Sequence, residues 1–145
     1  MTLITIEQVN ELTRERLPFT KPYAFNVLQL KHGEAKVAMP ANEEILRPGG
    51  TIAGPAMMAL ADYAIYVAVM SAIGPVEMAV TTNLNVNFLH RPPPGELVAW
   101  AKLLKLGKRL AIASVDITAR NEDSLVAHAT GTYSIPPTRE IQSNG

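Results

Sequence analysis

Gly54 and Asp62 are the residues of this chain whose types and spacing could do chemistry. Both lie in one strongly apolar segment, in which Asp62 is the single charged residue. Pro55 suits the first turn of a helix, and a helix start leaves backbone N–H groups free and carries a partial positive charge. A carboxylate among apolar residues is costly unless it is paired or used. An anion-stabilising end and a sequestered carboxylate on one element together indicate acyl-transfer chemistry.

The separation of these two residues predicts that they act across two subunits. Eight positions of helix, from Gly54 to Asp62, correspond to roughly 12 Å along the axis at about 1.5 Å per residue. A base or nucleophile must lie about 3 Å from the atom that it attacks, so one helix cannot present both groups to one carbonyl. Two antiparallel copies related by a two-fold axis would bring Asp62 of one copy near Gly54 of the other. This chemistry therefore requires at least a dimer.

A long helix that begins at Gly54 and stops at Gly74-Pro75 must position these residues. A shorter helix over about residues 5–16, capped by Thr5, is predicted before it. The rest of the sequence predicts an antiparallel sheet of five to six strands joined by tight turns, over 24–30, 34–39, 80–89, 96–104, 110–118 and 125–133. Because the long helix is too apolar for a surface element, the sheet must curl around it. The expected fold is α+β, with one domain over residues 1–145.

Composition narrows the classes of function. Thirteen basic and thirteen acidic residues give a net charge of zero, so a nucleic-acid partner is not expected. The chain has no cysteine, which excludes disulfides, thiolate metal sites and a cysteine nucleophile. The three histidines, His32, His90 and His128, lack the spacing of metal ligands. We therefore expect no metal site.

The apolar run from Ala56 to Ile73 approaches the length that spans a membrane. Asp62 and two tyrosines interrupt the run, so we interpret it as a buried helix and expect no membrane partner. The N-terminal segment is amphipathic and charged and lacks the apolar core of a signal peptide. A cytoplasmic location is the expectation, and a frayed tail is expected from about residue 136.

From about Ala24 to Tyr133 the chain resembles the hotdog-fold thioesterases, specifically the PaaI-like acyl-CoA thioesterases. The resemblance depends on the order and spacing of several short motifs. These are Gly54 to Asp62 ending in Leu60-Ala61-Asp62, Asn87-Phe88-Leu89 followed by basic and proline residues and Gly95, Gly107-Lys108-Arg109, Val126-Ala127 and Gly131-Thr132. The family implies a hotdog fold, in which an antiparallel sheet wraps one long central helix.

The resemblance also implies an activity and an assembly. The family members are acyl-CoA hydrolases that act as dimers or as tetramers built of dimers, and they need no cofactor. Carried onto this sequence, the Gly54 amide polarises the thioester carbonyl, and Asp62 of the partner subunit is the nucleophile or general base. Dimer and tetramer both remain open, as do aliphatic, aromatic and dicarboxylic acyl groups.

The chain departs from the family at the helix entrance. The family usually has His-Gly-Gly there, where this chain has Ala53-Gly54-Pro55, and an asparagine about six residues earlier, where this chain has Arg47. The oxyanion donor is retained, but the side chain that orients the substrate is not. Arg47 is a candidate to contact a substrate carboxylate or phosphate instead.

Other candidate substrate contacts are Pro55, Met58, Thr81 and Thr82, the threonines because their strand would pass the helix start. The candidates for the phosphates of CoA are Arg91, Lys108 and Arg109. Simpler interpretations stay open for all of them. Asp62 could be a structural residue that bonds a loop, the basic residues could be solvated turn residues, and Tyr63 and Tyr66 are expected in the core or at a dimer interface.

Three functions follow, in order of preference. The first is hydrolysis of an acyl-CoA thioester. The second is non-catalytic binding of an acyl-CoA or another small ligand on the same scaffold, which the altered helix entrance favours. The third is a hotdog hydratase or dehydratase; these enzymes commonly pair a catalytic histidine with a carboxylate, and no histidine lies near the helix in this sequence.

Overall fold

The computed structural model describes residues 1–120 and 122–137, and a long helix forms its centre. This helix, α2, spans Gly54–Ile73, and 14 of its 20 residues are buried. It is apolar on all sides, which is typical of a helix that other elements surround. Pro55 occupies its first turn, and Gly74 ends it with a φ of 93°, which favours glycine.

Length and composition alone would let α2 cross a membrane. In the structure, however, 78% of its apolar window is buried inside the protein. The helix contacts all six strands of the sheet. It is therefore the core helix of the fold, as its interrupted apolar run predicted.

Six strands form one sheet around α2. They are β1 (Asn26–Lys31), β2 (Glu34–Met39), β3 (Val80–Phe88), β4 (Leu97–Leu106), β5 (Leu110–Ala119) and β6 (Leu125–Ser134). Their order is β1-β2-β4-β5-β6-β3, and every neighbouring pair is antiparallel. The predicted α+β hotdog fold, with an antiparallel sheet around one long helix, is confirmed.

The N-terminal segment differs in one place from its prediction. Helix α1 spans Ile6–Arg16 with Thr5 at its N-cap. A 3-10 helix over Pro18–Tyr23 follows, and Ala24 ends it with a φ of 52°. The prediction that β1 starts at residue 24 is wrong, because proline at the first turn favours the 3-10 helix and the left-handed Ala24 cannot belong to a strand. The other five strands lie within two residues of their predicted bounds.

Strand β3 is an edge of the sheet and is nine residues long. Its pairing with β6 shifts register between Thr81 and Asn83, so that Thr82 is a bulged residue. Val80 and Phe88, at its two ends, are 55% and 49% exposed. A long edge strand presents a row of backbone groups that can pair with another chain.

Gly131 of β6 lets the sheet approach α2 closely. A Cβ atom at this position would lie 2.6 Å from Cδ1 of Ile65, which is fully buried on the helix. The predicted frayed tail from about residue 136 falls largely on residues 138–145, which lie outside the described part of the chain.

Candidate active site

Helix α2 reaches the surface along one stripe. Apart from its last residue, its only half-buried or exposed positions are Gly54, Pro55, Met58, Ala59 and Asp62. Residues three and four positions apart share one face of a helix, so these five form a single open strip. The two residues singled out by the sequence therefore lie at the two ends of the exposed part of an otherwise buried helix.

Two hydroxyl groups hold the carboxylate of Asp62. Tyr133 Oη donates to Asp62 Oδ1 at 2.6 Å, and Thr81 Oγ1 donates to the same oxygen at 2.6 Å. The Tyr133 hydroxyl also lies 3.1 Å from the backbone oxygen of Asp62. Both donors are on neighbouring strands, β6 and β3, so the sheet fixes the orientation of a side chain on the helix.

The second carboxylate oxygen, Oδ2, accepts no hydrogen bond from the described residues. Every buried side-chain oxygen or nitrogen of the described residues has a partner. Oδ2 of Asp62 is therefore accessible from outside. The carboxylate has one oxygen fixed by the protein and one free for a ligand or water, which argues against a purely structural role.

Tyr133 is suited to remain a hydrogen-bond donor. Only 4% of the residue is exposed. Burial, and next the negative charge of Asp62, raise the pKa of the Tyr133 hydroxyl well above its usual value. The phenol therefore keeps its proton beside the carboxylate throughout the range in which enzymes usually work.

A cavity of about 410 Å³ opens beside Asp62. Its walls come from residues 17–25, from α2 and from the start of β3, and most of the large lining side chains are aromatic. The rings of Tyr23, Phe25 and Tyr63 stack nearly in parallel, with centroids 5.2 Å and 4.4 Å apart. Tyr66 also lines the cavity, and burial raises its pKa to about 12. Asp62, which has one carboxylate oxygen without a partner among the described residues, thus lines an apolar pocket.

Gly54 begins α2 at the other end of the strip. Its N–H donates no hydrogen bond within the described residues, as expected for the first position of a helix. A Cβ at this position would lie 3.5 Å from the ring of Phe88, the last residue of β3. Gly54 and Asp62 of one chain are not brought together, since they are eight residues apart on one straight element.

The other candidate substrate residues are dispersed. Met58 is 41% exposed and Pro55 is exposed, and both lie on the strip between the two ends of the site rather than in the cavity. Thr82 differs from Thr81, because its hydroxyl donates to the backbone oxygen of Thr132 at 3.2 Å. Arg47 is exposed in the turn that the pairing of residues 46 and 52 closes before α2.

The basic candidates are exposed at two ends of the sheet. Lys108 and Arg109 lie in the turn between β4 and β5, and Arg109 Nε donates to the Ile135 backbone oxygen at 3.0 Å. Arg91 follows the far end of β3. Within residues 1–120 and 122–137, no three His, Asp or Glu side chains are grouped as metal ligands would be.

Sequence analysis did not identify two parts of the site. Tyr133 is 71 positions from Asp62, and only the register between β6, β3 and the helix brings it there. The wall formed by residues 17–25 was missed because this stretch has no helix or strand periodicity.

A larger groove of about 710 Å³ lies around Trp100 on the outer face of the sheet, away from Asp62.

Comparisons with known proteins agree with the fold. A sequence model of the thioesterase superfamily matches residues 49–126, more than half of the chain. A protein of Saccharolobus solfataricus, provisionally named an esterase, is 30% identical over 132 residues, which cover 90% of this chain and 85% of the relative.

Two solved structures are similar over most of their length. The crystal structure of a provisionally named thioesterase from Silicibacter sp. TM1040 has a TM-score of 0.85 and 36% identity, covering 94% of this chain and 95% of that one. A variant of the phenylacetic acid degradation protein PaaI from Thermus thermophilus has a TM-score of 0.71 and 31% identity, covering 82% of this chain and 99% of that one.

Proposed function

The chain belongs to the thioesterase superfamily, and from this premise we propose that it hydrolyses an acyl-CoA thioester to a free acid and CoA. The observation that carries the proposal is the state of Asp62. One of its carboxylate oxygens is held by two hydroxyls, and the other is free beside an apolar cavity. A carboxylate fixed in this way is suited to act as a general base or as a nucleophile.

The exposed edge of β3 supports a two-subunit site. An antiparallel pairing of two β3 strands centred on residue 84 or 85 keeps their apolar residues on one face and pairs most of the nine-residue strand. It brings Phe88 of one chain opposite residues 80–82 of its partner. Phe88 lies against Gly54, and Thr81 bonds Asp62, so this pairing brings the helix start of one subunit near the carboxylate of the other.

The proposed reaction uses these two groups on one thioester. Asp62 takes a proton from water, and the hydroxide adds to the carbonyl carbon. The free N–H of the partner's Gly54 stabilises the oxyanion that forms. Collapse of the tetrahedral intermediate breaks the C–S bond, and the thiolate of CoA leaves and takes up a proton. In the alternative route, Asp62 itself attacks and forms an anhydride that water then cleaves.

Four exposed cations are assigned to the phosphates of CoA. Lys108 and Arg109 lie in the turn just before Leu110, which is two strands away from Val80, roughly 10 Å at the usual strand spacing. Arg91 and Arg47 lie toward the opposite end of β3, near the helix start. Pairing of two β3 strands would bring both groups to one site, where the negative charge of CoA needs partners. Cytoplasmic CoA thioesters are the proposed substrates.

The test is release of free thiol from a panel of acyl-CoAs by the purified protein. Asp62→Asn should lower kcat at least about 100-fold, as expected when a general base or nucleophile is removed. Asp116→Asn is the matched control, because Asp116 is exposed on the outer face and bonds His128 instead. Unchanged turnover in the Asp62 variant would refute the assigned role. Label in Asp62 after a single turnover in ¹⁸O-labelled water would identify the nucleophile route, since only cleavage of the anhydride at its aspartyl carbon places label there.

The residues at the start of α2 favour a second candidate function. Ala53 and Pro55 stand where the related enzymes usually have a histidine and a glycine, and Pro55 lacks the N–H that glycine would supply. The chain could then bind an acyl-CoA without cleaving it. Calorimetry would support this alternative if intact acyl-CoA binds tightly and no thiol appears over hours. A hydratase is disfavoured, because no histidine is among the described residues that line the cavity.

A further inference from the structure

The cavity beside Asp62 has a wall for which the proposed hydrolysis has no chemical use. This wall consists of three aromatic rings and one leucine and is called the aromatic wall below; it faces Tyr63 and Tyr66 of α2. Its residues are Leu17, Phe19, Tyr23 and Phe25. We propose that the wall selects an uncharged, apolar acyl group and excludes acyl groups that end in a carboxylate. The inference rests on the proposed thioesterase function, since it names the acyl group that this site accepts.

The first argument for this selection is the charge of the residues that line the cavity. Among the described residues, the only charged ones that line it are Asp62 and Glu77, and both are acidic. Arg16, which lies outside the lining, pairs with Glu77 at 2.8 Å. A second carboxylate, at the end of an acyl chain, would lose its water against ring faces and meet no cation among the residues that line the cavity.

The second argument is that the wall is built before any ligand arrives. Tyr63 Oη lies 2.7 Å from Thr13 Oγ1, which ties the ring to α1. Thr20 Oγ1 donates to the Leu17 backbone oxygen at 2.7 Å, and the side chain of Asn42 donates to the backbone oxygen of residue 22 at 2.8 Å. A pocket held by its own hydrogen bonds does not have to be ordered by the ligand.

The third argument is the exposure of an apolar side chain at the rim of the cavity. Phe19 is 70% exposed although it lines the cavity, so a large apolar side chain stands at the edge of an apolar pocket. An acyl group in the cavity would cover part of this ring and remove apolar surface from water. None of the four cations assigned to CoA is a lining residue of the cavity, so the proposal assigns them to the phosphates and not to the far end of the acyl group.

The test compares hexanoyl-CoA with adipoyl-CoA, which have the same six-carbon chain and differ by a terminal carboxylate. We expect kcat/KM for hexanoyl-CoA to exceed that for adipoyl-CoA by at least about 100-fold. Phe19→Arg places a cation at the rim, and it should reduce this ratio at least about tenfold. Leu104→Arg is the matched control, because Leu104 is 63% exposed outside the cavity, and it should leave the ratio unchanged.

A binding measurement separates this inference from the proposed hydrolysis. Calorimetry with the Asp62→Asn variant gives the Kd of each intact acyl-CoA, whether or not the protein cleaves it. Equal Kd values, or equal kcat/KM values in the unaltered protein, would overturn the selection of uncharged acyl groups and leave the thioesterase proposal standing. Preferential binding of hexanoyl-CoA with no thiol release from either compound would support the selection and defeat the hydrolysis.

Discussion

The two oxygens of the Asp62 carboxylate have different surroundings. Both hydroxyl donors bond Oδ1, and the accessible Oδ2 has no partner among the described residues. A carboxylate that is fixed through one oxygen presents the other in a defined direction, which lowers the cost of reaching a reactive geometry. Tyr133 is the more buried of the two donors, and its raised pKa keeps it protonated.

Tyr133→Phe tests this arrangement through the rate of thiol release. The variant removes one of the two hydrogen bonds that fix the Asp62 carboxylate. We expect kcat to fall at least about tenfold, since a hydrogen bond to a charged group is worth about 1.5–3 kcal/mol. Steady-state rates of the variant and the unaltered protein, measured side by side, would show the loss.

Tyr66→Phe is the control for that experiment. Its ring lies 6.1 Å from that of Tyr133, and its hydroxyl donates to the backbone oxygen of Glu77 rather than to Asp62. The control removes a phenol hydroxyl from the same cavity without touching the carboxylate. If both variants lower kcat equally, or neither does, Tyr133 does not act through Asp62.

Single residues were predictable where their neighbours in sequence revealed them. Asp62 is recognisable because it is the one charge in a long apolar run, and Gly54 because a proline follows it at a helix start. Tyr133 looks like any inward-facing residue of a strand, and nothing near it in sequence points to Asp62. Contacts of this kind depend on strand register. Sequence periodicity shows which residues of one strand share a face, but not which residues of the neighbouring strand lie opposite them.

At the scale of elements, the close approach of β6 to α2 depends on one glycine. A Cβ at residue 131 would meet Cδ1 of Ile65 at 2.6 Å, well inside ordinary contact distance. Gly131→Ala should therefore lower the free energy of unfolding by about 1–3 kcal/mol, because the packed core must shift to admit it. Denaturant unfolding monitored by circular dichroism measures the loss.

Ile65→Val provides the matched partner for a double-mutant cycle, because valine lacks the Cδ1 atom that the new methyl group would meet. Alone it should cost about 0.5–1.5 kcal/mol. Combined with Gly131→Ala it should cost less than the sum of the two single changes, by at least about 0.5 kcal/mol. Strict additivity would mean that the glycine is needed for another reason.

Helices and strands could be predicted from the sequence where their residues follow a regular apolar pattern. The core helix and five of the six strands follow from uniform apolarity or alternation, and their bounds agree within two residues. The segment from Pro18 to Ala24 was not predictable, because two prolines and a left-handed alanine define it and no repeat marks it. The same irregular segment supplies much of the cavity wall, so the unpredicted element is the one that shapes the pocket.

For the whole molecule, the proposed site needs two chains joined along β3. Asn83, Asn85 and Asn87 are exposed along this edge strand. Changing all three to lysine would place six ammonium groups along the seam of the dimer, where like charges face each other. We expect the protein to become monomeric at micromolar concentration and to lose thiol release in proportion to the monomer fraction. Analytical ultracentrifugation and the thiol assay, run side by side, measure both.

Changing the same three residues to glutamine is the control, since it keeps the amides and adds no charge. Raising the salt concentration should partly restore the dimer of the lysine variant, because screening weakens repulsion between exposed charges. A fully active monomer would contradict the shared site. A dimer that persists in the lysine variant would mean that copies meet through another surface.

The aromatic wall and Asp62 come from separate stretches of the chain. Residues 17–25 precede the stretch that matches the superfamily, whereas Asp62 lies within it. The two stretches meet where the ring of Phe25 stacks on Tyr63, the residue after Asp62. If the proposed function holds, exchanging side chains of residues 17–25 that keep this stacking changes the preferred acyl group while Asp62 and its two hydroxyl donors stay the same.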